Sequence, residues 1–244
     1  MRPDSLSVRS ARFRRFGTCP GDLQADLTAA RPHAITDVLA CCTVPAADRD
    51  MLWDLPVGKR IECLLALCAL DGAEEFDVEL RCFACGQPFE VSLTIDELLT
   101  VGGAADRDVV EVGQARLRRP TGRDQLAWLE RTYPDEAALV NDMMATLALD
   151  EAHVPSAAVE AALDEADPLL RAPVTATCPE CGYEAEYETD PAGVALARLA
   201  CAQDALFDAV DLLASRYHWS EAEILALPGW RRARYVELLQ RKAR

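Results

Sequence analysis

The chain has 244 residues, half of them hydrophobic and 27% charged, with a formal net charge of −16. That length can bury a sizeable core in one large domain or two small ones, and the balance excludes wholesale disorder. The longest uninterrupted apolar run, Cys63 to Leu70, is far short of a membrane span, and the basic Met1–Gly17 stretch lacks the apolar segment of a secretory signal.

Residues 1–30 lack periodicity and read as an arm with a short strand. Ile61, Leu64, Leu65 and Cys68 sit at helical spacing, predicting a helix from Pro56 to Leu70 that Asp71-Gly72 ends. The period then changes. Phe76, Val78 and Leu80 alternate with Asp77, Glu79 and Arg81, and Phe89, Val91, Leu93 and Ile95 alternate beyond Cys82-Phe83-Ala84-Cys85-Gly86. This is a hairpin whose turn carries CxxCG. Residues 100–113 are rich in Gly and Asp and read as a loop, with a strand at Ala115–Arg119. Thr121 is an N-cap candidate, and helices are expected over 122–132, 134–149 and 156–166. The last begins with Ser156 and Glu160, one residue wider than a capping box.

The hairpin pattern returns at Val174 and Ala176, through Cys178-Pro179-Glu180-Cys181-Gly182, to the alternating Tyr183, Ala185 and Tyr187. A long helix is expected from Ala192 to Tyr217, with Leu199, Leu206, Val210, Leu213 and Tyr217 on one face. Ser220 and Glu223 match a capping box, so a short helix starts there and stops at Pro228. A final helix, Trp230 to Lys242, mixes apolar and basic residues around its circumference.

The fold class expected is α+β and predominantly helical. It comprises an N-terminal arm and helices (1–74), a split zinc ribbon (75–191) with a helical insertion at 115–170, and a C-terminal helical region (192–244). The charge is uneven. Residues 1–16 hold five arginines against Asp4, and residues 230–244 hold six basic residues against Glu237, so the body between them is strongly acidic. Such a body repels nucleic acid and anionic membranes.

Ten cysteines without an export signal imply a reducing, cytoplasmic setting, where they serve first as metal ligands, small hydrophobes or redox groups. Cys82, Cys85, Cys178 and Cys181 stand out. One structural Zn2+ takes four thiolates in a tetrahedron, and the Gly after each pair gives the knuckle its permissive backbone. The 92 positions between the pairs far exceed the roughly 15–20 of an uninterrupted ribbon. A helical insertion within the ribbon accounts for them. Two local disulfides, a redox pair and a metal-free site are the alternatives. The redox reading lacks its helix N-terminus, since each pair lies in a hairpin. Cys63, Cys68 and Cys201 read as core packing.

His33, His153 and His218 fall in no metal or catalytic spacing, and Val57-Gly58-Lys59 lacks the upstream glycine of a phosphate-binding loop. A site closed by four cysteines leaves no position for a reactive water. The expectation is a protein that is not an enzyme and takes no small-molecule substrate.

Tyr217 to Pro228, followed by Trp230-Arg231-Arg232 and Tyr235, resembles a tail of small baseplate proteins of contractile phage tails and phage-like contractile injection systems. Leu117 to Asp124 is similar to a second block of that family, and the two CxxCG hairpins fit its zinc-ribbon members. The resemblance covers scattered blocks within 75–240. It implies a structural or chaperone-like assembly protein of the baseplate, at a cytoplasmic assembly site or within a phage-like particle, with other baseplate or tail proteins as partners. Trp219, Trp230, Arg231, Arg234 and Tyr235 are the candidate partner-binding residues; packing of the aromatic ones on the body is the alternative. A zinc-ribbon adaptor on nucleic acid is a rival reading, opposed by Glu79, Glu90, Glu184, Glu186 and Glu188 around the knuckles. A cytosolic thiol oxidoreductase is another.

Overall fold

The computed structural model describes residues 12–104, 109–150 and 155–242. Arg2, Arg9, His153 and part of the loop expected at 100–113 lie outside them. The architecture is α+β and mostly helical, with four separate two-stranded antiparallel sheets among the described residues.

The expected N-terminal arm is tied down from its first described residues. β1 (Arg12–Phe13) pairs with β2 (Thr43–Val44). Asp22, fully buried, receives both Arg14 guanidinium nitrogens, at 2.6 and 2.9 Å, and the backbone N–H groups of Thr18 and Cys19. The basic charge at Arg14 and Arg15 is thus spent internally, the second on Asp71. Three helices follow: α1 (Arg31–Cys42), α2 (Arg49–Trp53) and α3 (Val57–Leu70). α3 buries residues on every side, from Val57 through Cys68.

The main core joins α1 and α3 to α4 (Ile95–Ala104) and to the first half of α8 (Pro191–Tyr217) through Ile35, Leu39, Leu64, Leu65, Ile95 and Leu199. Burial of this apolar surface supplies the main driving force for the fold. Two expectations are corrected here. Ile95 opens α4 and does not end a strand, and α4 replaces the first part of the expected loop. Its Gly102 sits where a Cβ would press on Leu169 and Glu62, so the glycine serves helix packing.

The insertion starts earlier than the expected residue 115 and is not wholly helical: it opens with the hairpin β5 (Val109–Val112) and β6 (Ala115–Arg118), then α5 (Gly122–Leu129), α6 (Glu136–Leu147) and α7 (Ser156–Ala166). Its own small cluster holds Val110, Leu117, Trp128, Leu147, Val159 and Ala166. Thr121 and Asp124 form a reciprocal capping box at α5. Ser156 is not the cap of α7; Pro155 precedes it, and Glu160 pairs with Arg171 instead.

The insertion is bolted to α3 at two points. Pro120 O accepts from Val57 N at 2.9 Å, and the Gly122 N–H donates to Leu55 O at 3.3 Å. Beside them Arg60, fully buried, donates to the carbonyls of Leu52 and Pro32 (3.0 and 2.6 Å) and to Thr36 Oγ1 (2.9 Å), and lies over the Trp53 ring. A Cβ at position 122 would fall on its guanidinium. At the second point the Gly58 N–H donates to buried Asp167 at 3.2 Å, with Arg119 Nη1 3.7 Å from the same carboxylate. Burial pushes Asp167 up to about 6. Both bolts use partners outside the insertion. Residues 109–170, which keep both strands of the β5–β6 hairpin, are therefore expected to show no cooperative thermal transition by circular dichroism when expressed alone. A sharp melt of that segment would establish it as an independent domain.

The long helix α8 is the spine. Its first half lies in the main core. Gln203, buried near its middle, donates to the carbonyls of Asp22 and Ala25, and its second half holds the tail. His218, at φ 58°, ends it in the left-handed region. α9 (Glu221–Ala226), capped reciprocally by Ser220 and Glu223, and α10 (Gly229–Lys242) then pack against Leu206, Val210 and Leu213. Among the described residues, no helix is long and apolar enough to cross a membrane.

Candidate metal centre

Two hairpins build the site. β3 (Glu75–Arg81) pairs with β4 (Pro88–Thr94), and β7 (Val174–Thr177) with β8 (Glu184–Tyr187). Alternation decides their inner faces. Val78, Leu80, Phe89 and Val91 from the first pack with Val174, Ala176, Ala185 and Tyr187 from the second, in a small core separate from the main one. The Tyr187 ring stacks on Phe83 at 4.7 Å and meets Phe89 edge-on at 5.6 Å. The two pairs do not merge into one sheet.

The two turns are built alike. The Cys82 N–H donates to Gln87 O and the Gly86 N–H to Cys82 O, at 3.0 and 2.9 Å; the Cys178 N–H donates to Tyr183 O and the Gly182 N–H to Cys178 O, both at 2.9 Å. Gly86 and Gly182 have φ of 72° and 73°, with open space where a side chain would go. Each glycine is required for its backbone angle and not for room.

This repeated turn brings together the four cysteines that the sequence singles out. Cys82 Sγ lies 3.6 Å from Cys181 Sγ, and Cys85 Sγ 3.7 Å from Cys178 Sγ; all four sulfurs fall within 4.8 Å of one another. A tetrahedral zinc with Zn–S of about 2.3 Å has sulfur–sulfur edges of about 3.8 Å. The donor set therefore fits a tetrahedral thiolate metal. Cys82 and Cys178 are buried, while Cys85 and Cys181 face outward.

The electrostatics agree with that donor set. Backbone N–H groups of Cys85 and Ala84 pull the Cys82 thiol down to about 6. At Cys181 the Tyr183 N–H acts in the same direction. Desolvation and the neighbouring Cys82, Cys85 and Cys178 override it and push the thiol up to about 12. Cys82 therefore gives up its proton more readily than Cys181, because thiolates this close repel. A divalent cation removes that repulsion.

The remaining cysteines divide. Burial pushes Cys42, Cys63 and Cys68 up to about 12, which suits inert packing groups. Cys41 is half-buried, its Sγ 3.3 Å from Gly21 O. Cys201 is a correction: it lies on the exposed side of α8 and packs in no core.

The tail candidates also divide. Tyr217, Trp219 and Tyr235 form a mutual aromatic cluster with ring centroids 4.8 to 5.7 Å apart, so Trp219 and Tyr235 pack on the body. Trp230 is 75% exposed. Arg231 lies over the Tyr235 ring, and Arg234 pairs with Glu237, both at the surface. The arginine that α10 buries is Arg232, which periodicity alone does not distinguish from its neighbours. Leu117 to Asp124 forms β6 and the bolt to α3, a structural use of that block.

Comparisons with protein-family models, with curated proteins and with solved structures find no match to this chain.

Proposed function

We propose that this chain is a non-enzymatic structural or assembly protein of a contractile tail or injection-system baseplate, organised around one structural zinc. Cys82, Cys85, Cys178 and Cys181 would hold the metal in a split zinc ribbon, with no ligand position left for chemistry. Bound there, zinc supplies a cross-link between two distant hairpins.

The observation that carries the docking function is the outward face of α10. Arg232, Tyr235, Val236 and Leu239 turn inward or are partly covered, which leaves Trp230, Arg234, Glu237 and Arg241 along the opposite stripe. A tryptophan this exposed at the head of a basic stripe suits a partner that covers it and supplies carboxylates. Other baseplate or tail proteins are the partners that the resemblance implies. A nucleic-acid role is disfavoured, since the exposed hairpin faces carry Glu79, Glu90, Glu184 and Glu186.

The triple variant Trp230→Ala, Arg231→Ala, Arg234→Ala is expected to keep its metal and its melting temperature. It should block formation of contractile particles in the producing cell, read by electron microscopy and by mass spectrometry of purified particles. Unfolding of the variant would show that the tail is core. Normal particles from a folded variant would overturn the docking function.

A further inference from the structure

The outer face of the first hairpin has an unusual charge arrangement. Glu75, Asp77, Glu79 and Glu90 are all exposed on it, and Glu79 stands directly opposite Glu90 in the β3–β4 register. Like charges directly opposite one another destabilise a strand pair. Among the described residues no basic side chain makes an ion pair with any of these four carboxylates. Arg81, the one cation on that face, donates to Gly86 O instead. At the tip of the same hairpin Phe83 is 70% exposed, with one ring face on Tyr187.

The outward stripe of α10 is the complement of this face. It starts with an exposed aromatic, Trp230, and continues with Arg234 and Arg241, flanked by Arg231; the two stripe arginines share its only acid, Glu237, in exposed pairs that a partner's carboxylates can replace at little cost. The lengths agree. Trp230 to Arg241 spans about 16 Å at 1.5 Å per residue. Phe83 back to Asp77 spans about 20 Å at 3.3 Å per residue. With Arg234 set over Glu79 and Glu90, Arg241 lies about 10 Å further along the helix, between Asp77 and Glu75, and Trp230 lies over Arg81. The inner stripe of α10 is already packed on the helical body of its own chain, so its outer face is the part left for another molecule.

We propose that the outer face of α10 in one copy docks on the β3–β4 face of a second copy. This rests on α10 being a docking face, as above, and names its occupant. The contact is heterologous: each copy offers one α10 and one hairpin, so copies link head to tail into a ring or an open chain. The net charge of −16 opposes association at long range. At about 0.15 M salt the screening length is about 8 Å, which damps that repulsion more than it damps contact pairs.

The test uses the full, zinc-loaded chain in sedimentation velocity at that salt, up to tens of micromolar. Wild type is expected to self-associate. Glu79→Lys with Glu90→Lys, and separately Arg231→Glu with Arg234→Glu, are expected to be monomeric and folded. Mixed together, these two variants should assemble again, because the acidified helix of one meets the basic hairpin of the other and the unchanged helix meets the unchanged hairpin. Trp230→Ala should weaken wild-type association roughly thirty-fold, the scale of an interface hot spot. A monomeric wild type overturns the proposal, as does a mixture that fails to pair. A monomeric wild type combined with failed particle assembly by the triple alanine variant leaves the docking function standing with a different partner. Self-association combined with normal particles from that variant overturns the baseplate role alone.

Discussion

Replacing Cys178 with serine is expected to empty the metal centre and lower stability on the order of 4 kcal/mol, the scale for opening a closed loop of about 100 residues. In a chain this long that corresponds to a fall in melting temperature of roughly 8 to 16 °C. The loop in question joins hairpins whose small shared core buries Leu80, Phe89, Ala176 and Tyr187 beside the two inner cysteines, with four more apolar residues only partly covered. Without the metal that core is too slight to hold the hairpins in register. Metal analysis of wild type purified without added metal should find about one zinc per chain, and none in the variant. Chelation of wild type should reproduce the loss of stability. Near-zero metal with an unchanged melt after chelation would remove the structural-zinc proposal. Iron in place of zinc would correct the identity of the ion and keep the site.

Arg60→Ala is expected to be about as damaging, with a loss of roughly 3–5 kcal/mol. The guanidinium satisfies Leu52 O, Pro32 O and Thr36 Oγ1 together, and all three lie in the interior. Its removal leaves buried acceptors without donors and a void beneath Trp53. Burial lowers the Arg60 pKa to about 10, so the ion is held at a cost that only its three bonds and the Trp53 ring offset. Gly122→Ala attacks the same point from the other side and should cost about 1–3 kcal/mol by overpacking. Arg123→Ala, which breaks only exposed pairs with Asp50 and Asp54, should stay within about 1 kcal/mol. Chemical denaturation of the three variants checks the order. Similar losses at all three positions would mean that Arg60 is not a buried clamp.

The cysteine cluster is legible in the sequence because both halves announce themselves locally. Each half has alternating residues, a CxxC and a glycine whose positive φ no other residue adopts cheaply. The N-cap at Thr121 and the capping box at Ser220 are legible for the same reason: their partners lie within three residues. What escapes reading depends on distant neighbours. α1 does carry an apolar stripe, Ala34, Ile35, Val38, Leu39 and Cys42, but no side-chain cap marks its start, and it buries Thr36 as well. Gly102-Gly103 looks like loop material, yet Gly102 lies in α4, where the close approach of Leu169 and Glu62 leaves no room for a side chain. Arg60 and Arg232 read as surface charges beside other charges. Only the packed chain places them inside. Trp219 and Trp230 are equally plausible anchors on paper, and the ring stack with Tyr217 and Tyr235 separates them.

The distance between the two knuckles also sets an order of events during synthesis. Cys82 and Cys85 leave the ribosome long before Cys178 does. At about 5–20 residues per second the first half-site waits roughly 5 to 20 s for the second. Through that interval the cell holds a nascent chain with two unsatisfied thiols, able to keep a metal ion only loosely. The residues that follow Cys181 are those of the spine and the tail. If the four thiols take a metal ion, that site can close only when the second knuckle has been made, as α8 follows it. A ribosome stalled before Cys178 would display the insertion and the first knuckle, with the partner knuckle not yet made.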